Sequence, residues 1–216
     1  MTQVFLTTAD SSPWNKPGDF TAAGHTIELI GAGGNGAAGT TGASGNGGGG
    51  GGAGGYGKFT YSSGAVGSSV AFRVGVGGEG RTNTHTVWQN NTSASGSFNW
   101  AGNGENAAGT VFGIGSATPA TQGTPTIAYT TTIAQTGASG GSSGKNLGGA
   151  GGGGSGGPSG AGSTAANATT TAGTNGGAAD NSTVSGGSGA SAGKNSTGGG
   201  GNSGTEFDGS HGCGSG

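Results

Sequence analysis

Glycine falls on every third residue without a miss at Gly33, Gly36, Gly39, Gly42, Gly45, Gly48, Gly51, Gly54 and Gly57. Between Gly36 and Gly45 it occupies only those positions, the others being Ala37, Ala38, Thr40, Thr41, Ala43 and Ser44. Three residues per turn is the repeat of the extended polyproline II helix, whose backbone N–H and C=O groups point outward with no partner inside the helix. Where every third residue lacks a side chain, neighbouring extended helices approach closely enough to satisfy those groups sideways. Collagen packs this way, but its remaining positions are rich in Pro, and here they are Ala, Thr, Ser, Asn and Gly. The period returns briefly at Gly148, Gly151, Gly154, Gly157 and Gly160, and at Gly198, Gly201 and Gly204.

A conventional apolar core is not available to most of this chain. Of 216 residues, 61 are Gly and 6% are charged, against three Leu, five Ile, eight Val and seven Phe. Such poverty in large apolar side chains is the mark of disorder when it comes with high charge or much Pro. The net charge here is -2 and Pro numbers five. The glycines are therefore read as architecture held by backbone hydrogen bonds, the alternative being a flexible Gly/Ser linker. Residues 1–133 form a β-rich region with the Gly-x-x run at 33–57; residues 134–216 form a glycine-rich, low-complexity region with Leu147, Val184 and Phe207 as its large apolar residues.

Strands are expected at Val4–Leu6, Thr26–Ile30, Lys58–Tyr61, Val70–Val76 and Thr86–Trp88, which are short, β-branched or aromatic, and bounded by Gly, Asn or Ser. Alternation through Val70–Val76 places Phe72, Val74 and Val76 on one face and Arg73 on the other. No window carries apolar residues at helical spacing, and each Gly costs a helix about 1 kcal/mol relative to Ala. The fold class is all-β and irregular: a short-stranded N-terminal β region with glycine-rich, polyglycine II-like packed extended helices and no α-helix of note.

The segment running from Thr26–Ile30 into Gly31, Gly33 and Gly36 spells the glycine fingerprint of a dinucleotide-binding turn. That site needs a helix after the glycines and an acidic residue about 20 positions on; the next acidic residue is Glu79, so the chemistry is lacking. Gly144-Lys145 and Gly193-Lys194 do not complete a P-loop, since Ser139 and Ser188 stand where its first Gly belongs. His211 and Cys213 supply two metal ligands where a closed site takes about four, and Glu206 with Asp208 has no companion base. No enzyme, cofactor or metal is expected. Six Lys and Arg make no basic patch for nucleic acid, and no apolar stretch is long enough to cross a membrane as a helix.

The order of several features resembles glycine-rich bacteriophage and prophage virion proteins. These are the aromatic-Pro opening Ser12-Pro-Trp-Asn-Lys-Pro-Gly-Asp19, the strand into glycines Ile27-Glu-Leu-Ile-Gly-Ala-Gly-Gly34, the aromatic strand Gly55-Tyr-Gly-Lys-Phe-Thr-Tyr61 and the turn Val74-Gly-Val-Gly-Gly78. The resemblance covers roughly residues 10–90. It implies a tail-fibre or tail-tip component, similar to adhesins in which packed polyglycine II helices present loops to a host receptor. Implied partners are the chain itself, as a homo-trimer or higher oligomer, other virion proteins, and a host surface polysaccharide or outer-membrane protein. With no secretion signal, cytoplasmic synthesis followed by assembly into a virion is expected. A capsid decoration or fibre-forming protein is the main alternative, and an ice-binding polyglycine II protein a third.

Trp14, Trp88 and Trp100 are read as anchors of a small core, while the aromatic residues among Asn, Thr and Gln in residues 81–133 suggest a recognition surface of Trp88, Phe98, Trp100 and Tyr129, with Phe112 nearby. The Asn/Thr/Ala stretch 163–185 is the other candidate. An internal echo, Gly144-Lys-Asn-Leu-Gly-Gly149 and Gly193-Lys-Asn-Ser-Thr-Gly198, suggests two equivalent passes through one packed layer.

Overall fold

The computed structural model describes residues 3–40, 45–79, 85–89, 98–115, 120–122 and 127–181. Its strands are β1 (Trp14–Asn15), β2 (Thr26–Ile30), β3 (Tyr56–Ser63), β4 (Ser69–Val70), β5 (Phe72–Arg73), β6 (Thr86–Trp88), β7 (Phe98–Ala101), β8 (Ala120–Gln122) and β9 (Ala128–Gln135). They form three small antiparallel sheets, ordered β1-β4, β2-β3-β9 and β5-β6-β7-β8. Among the described residues there is no α-helix, and one 3-10 turn at Ala179–Asn181.

Alternation sets the β2-β3 pair. Ile27 lies opposite Phe59 and Leu29 opposite Gly57, facing the core, while Glu28 lies opposite Lys58 on the other face. There Lys58 Nζ meets Glu28 Oε1 at 2.9 Å, and the buried Tyr56 donates its hydroxyl to Glu28 Oε2 at 2.6 Å. Leu29, Phe59, Val70, Phe72, Trp88, Ala101, Ile127 and Tyr129 form one core, with Leu6, Trp14, Ile27, Tyr61, Val66 and Val74 against it. This core draws from all three sheets, which is how so few large apolar residues suffice.

Two expected strands differ. Val4–Leu6 is irregular, with Leu6 packed against the core and Val4 exposed. Val70–Val76 is broken at Ala71, because its halves pair with different partners, β4 with β1 and β5 with β6. Beyond β5 the Gly75 N–H donates to the Thr86 hydroxyl at 3.0 Å instead of continuing a ladder, and Val76 ends 42% exposed rather than on the core face. Strand β9 is not among the strands expected above, although it carries Tyr129 and Ile133 among Ala and Thr. It is held by pairing with β3, with a bulge at Thr132, whose hydroxyl donates to the Lys58 carbonyl at 3.0 Å.

Outside the strands the chain runs as extended segments bonded to one another at intervals of three residues. In the segment 46–55, the N–H groups of Gly47, Gly50 and Ala53 donate to Gly144, Gly141 and Ala138 at 3.2, 2.9 and 2.9 Å. Those of Gly49, Gly52 and Gly55 donate to Gly109, Glu105 and Gly102 at 2.9, 2.9 and 3.0 Å. The carbonyls of Gly48, Gly51 and Gly54 accept from Ala150, Gly153 and Gly156, and those of Gly49, Gly52 and Gly55 from Ala37, Gly34 and Gly31. The Gly50 carbonyl takes a further bond from Gly113 at 2.8 Å. A pleated strand would repeat every second residue in two opposed directions; here each residue class addresses different neighbours.

The number of neighbours sets the density of glycine. A Cβ on Gly47 or Gly50 would fall on the carbonyl of Gly148 or Gly151, on Gly48, Gly51 or Gly54 on that of Ala37, Gly34 or Gly31, and on Gly49 or Gly52 on that of Val111 or Ile114. All three classes of position are closed to side chains, and the sequence there is six consecutive glycines, Gly47 to Gly52. In 31–40, Gly31 and Gly34 are close approaches, against Gly102 and Glu105, and Gly33, Gly36 and Gly39 are half-buried. Gly45 is buried, Gly57 is part of β3, and Gly42 lies outside the described residues.

The compositional boundary near Ala134 is no gap in the packing. β9 leads into the segment 137–144, which bonds to 46–55, and the segment 147–157 bonds to 46–55, 162–170 and 173–180. The base of this second part is tied by the buried Asp180, whose Oδ1 accepts the N–H groups of Ser159 and Gly160 at 2.6 and 3.0 Å.

Candidate functional site

The extended segments enter the packed bundle from the β region: β2 leads into 31–40, β7 into 102–108 and β9 into 137–144, and 46–55 returns into β3. Their far ends must therefore be joined by turns on the side away from the apolar core. One turn closes between Thr40 and Asn46, where Thr40 N–H donates to the Asn46 carbonyl at 2.9 Å and Asn46 N–H to the Thr40 hydroxyl at 2.8 Å. A second, set back along the bundle, closes between Ala108 and Val111 through paired bonds of 3.1 and 3.0 Å, with Gly109 at φ 58, a conformation that suits glycine. The third is Gly144-Lys145-Asn146-Leu147, with Asn146 at φ 62. The fourth bends through Thr170 to Ala172.

These turns are bonded into one surface. Asn146 N–H donates to the Gly45 carbonyl at 2.8 Å, Ser143 N–H to Thr110 at 2.9 Å, and Gly148 N–H to Thr170 at 2.8 Å. Thr40, Lys145, Asn146, Thr169, Thr170 and Thr171 are exposed on it. Among the described residues no carboxylate belongs to these turns; Glu105 lies on the segment leading to the second turn, its N–H donating to the Ile114 carbonyl at 2.8 Å. The segment 111–115 adds an apolar flank, with Val111 57%, Phe112 38% and Ile114 46% exposed.

The aromatic residues singled out from sequence are not brought together on an open face. Trp88 and Tyr129 are buried in the core, so neither can stack on a ligand. In a chain this poor in apolar residues, the large rings are the core's main material. Their polar atoms are also spent. Trp88 Nε1–H donates to the Tyr129 oxygen at 3.1 Å, and the Tyr129 hydroxyl donates to His25 Nε2 at 2.8 Å. His25 Nδ1–H donates to the Ala22 carbonyl at 2.8 Å, which fixes that tautomer. Trp100 is half-buried, its ring 4.9 Å from that of His85. Phe98 belongs to β7, with its side chain outside the described residues, as are His211, Cys213, Glu206, Asp208 and the second Gly-Lys-Asn stretch at 193–198.

Burial pushes the Tyr129 hydroxyl up to about 12, the Trp88 hydrogen bond opposing and Tyr61 adding to the shift. A phenol whose folded value lies above the ordinary 10 contributes stability that is complete below about pH 10 and is lost as pH rises toward 12. The urea midpoint is therefore expected to fall between about pH 10 and pH 12. Tyr129→Phe should flatten that fall, while costing about 1–3 kcal/mol at neutral pH by stranding the Trp88 N–H. An equally steep alkaline fall in the variant would remove Tyr129 as its cause.

The turn face was largely missed from sequence because its residues are small and polar. Part of its signal was interruption: at Lys145-Asn-Leu147 the glycine spacing lapses between Gly144 and Gly148, whereas Thr169-Thr-Thr171 lies inside the stretch 163–172, which has no glycine. The stretch 163–185 had been singled out, and its Thr169–Thr171 part does reach the face. Among the described residues no group of three or more His, Cys, Asp or Glu is placed to hold a metal ion, and no helix is long and apolar enough to cross a membrane. Comparison with protein-family models, curated proteins and solved structures returns no match.

Proposed function

We propose that the chain is a structural protein of a bacteriophage-type virion, a tail-fibre or tail-tip component whose turn face contacts the host surface. In this reading the extended segments are packed polyglycine II helices, each residue class along a threefold axis addressing its own neighbour. The observation that carries the proposal is the gathering of the turns at one end, held by segments with almost no side chains. Such a bundle has little with which to recognise anything along its length, so recognition falls to the turns. The β region, at the other end, is then the part that joins the particle, and the chain works as a homo-oligomer, a trimer in a fibre. The resemblance over residues 10–90 supports the same assignment.

Purified protein is expected to bind susceptible cells and to slow phage adsorption to them. Replacing Thr169, Thr170 and Thr171 together with Ala should abolish the block. Because these side chains are exposed, each change should alter stability by no more than about 0.5 kcal/mol. Saturating protein that leaves adsorption unchanged would replace the receptor-binding reading with that of a decoration protein.

A further inference from the structure

We propose that the turn face takes an anionic polysaccharide, Lys145 meeting the negative group and the surrounding amide and hydroxyl side chains the sugar hydroxyls. This rests on the turn face being the receptor-binding end. The described cations divide sharply. Lys58 is paired with Glu28, Arg73 with Glu79 at 3.6 Å, and Lys16 Nζ donates to the Val66 carbonyl at 3.2 Å. Neither Lys16 nor Lys145 has an ion-pair partner among the described residues, but Lys16 is half-buried over the Phe20 ring, whereas Lys145 is exposed on the third turn. It stands among turns to which no described carboxylate belongs, in a chain whose net charge is -2. An exposed ammonium group with no described carboxylate on its own turn is a point to which an anion is attracted.

The neighbours of Lys145 fix the rest of the ligand's chemistry. Asn146 and Thr170 present amide and hydroxyl groups on turns whose backbones are bonded to each other through adjoining segments, so they are held in place before a ligand arrives. Such groups match closely spaced sugar hydroxyls. A protein ligand would be expected to use apolar anchors, and the large exposed ones here are Val111, which closes the second turn, and Phe112 and Ile114 beyond it, with none on the third or fourth turn.

The full chain can be tested against three immobilised polymers: polysialic acid, inorganic polyphosphate and neutral dextran. Polysialic acid should be bound and the other two should not, and binding should weaken about tenfold or more between roughly 0.05 M and 0.5 M salt. Lys145→Glu should weaken it by about tenfold or more, and Lys145→Arg should keep it within about threefold, with unchanged melting. Equal binding to polyphosphate would reduce the face to a bare charge, and failure to bind polysialic acid would overturn the inference. Cell binding separates the two levels: if cells are still bound by the Lys145→Glu variant and protease treatment of the cells abolishes it, the ligand is a protein and the receptor-binding reading survives. If replacing Thr169–Thr171 also leaves cell binding intact, that reading falls as well.

Discussion

Gly50→Val should be among the most damaging single substitutions in this protein, although it adds only three carbon atoms. The new Cβ would fall on the Gly151 carbonyl, and the atoms it meets are backbone on a segment itself bonded on other sides. A flexible side chain could swing away; this backbone cannot move without breaking the three-residue ladder that joins 46–55 to 147–157. Overpacking of a tight interior ordinarily costs about 1–3 kcal/mol, and here the upper end or beyond is expected. For a chain of this length about 3 kcal/mol corresponds to a loss of roughly 10 °C in melting temperature. Gly144→Ala is the control, since its Cβ would meet only the end of the Leu147 side chain at 3.4 Å, and the melting temperature should barely move. Similar losses from both would mean that the glycines are not at close approach.

Trp88→Ala should cost about 3–5 kcal/mol, the range for emptying a buried large aromatic. Its ring packs 5.7 Å from that of Trp14, and its N–H supports Tyr129. The variant should thus lower the denaturation midpoint severely, and any loss of cell binding should track the loss of folded protein. Replacement of Thr169–Thr171 should behave in the opposite way, with binding lost and folding kept. A Trp88→Ala protein that melts normally but fails to bind cells would return Trp88 to the recognition surface.

What could be read from sequence divides by the range of the interaction. Strands β2 and β6 were legible to the residue, because Thr26–Ile30 and Thr86–Trp88 are apolar, β-branched and sharply bounded. The glycine period was legible too, since it is a property of one segment. Its phase against neighbours was not. Gly31 and Gly34, which lie off the run that begins Gly33, Gly36 and Gly39, meet the segment 102–108, and which edge is crowded depends on chain about 70 residues away. Strand β9 was legible in principle, since Ala128–Gln135 is rich in Thr with Tyr129 and Ile133, but its place beside β3 was not. Trp88 fits the small-core reading of the tryptophans, while the recognition reading of Trp88 and Tyr129 fails because polar neighbours in sequence do not reveal packing against Trp14 and His25.

The central claim is that the glycine runs form an ordered interior rather than a linker, and backbone hydrogen exchange tests it most directly. In a linker, the amides of 45–57 and 148–157 would exchange within seconds, faster than those of any strand. Buried and bonded at intervals of three residues to neighbours on several sides, they should instead be protected to about the same degree as β3, and Gly50→Val should abolish protection in both runs together. Exchange of the 45–57 amides at the rate of an unstructured glycine peptide, with β3 still protected, would contradict it.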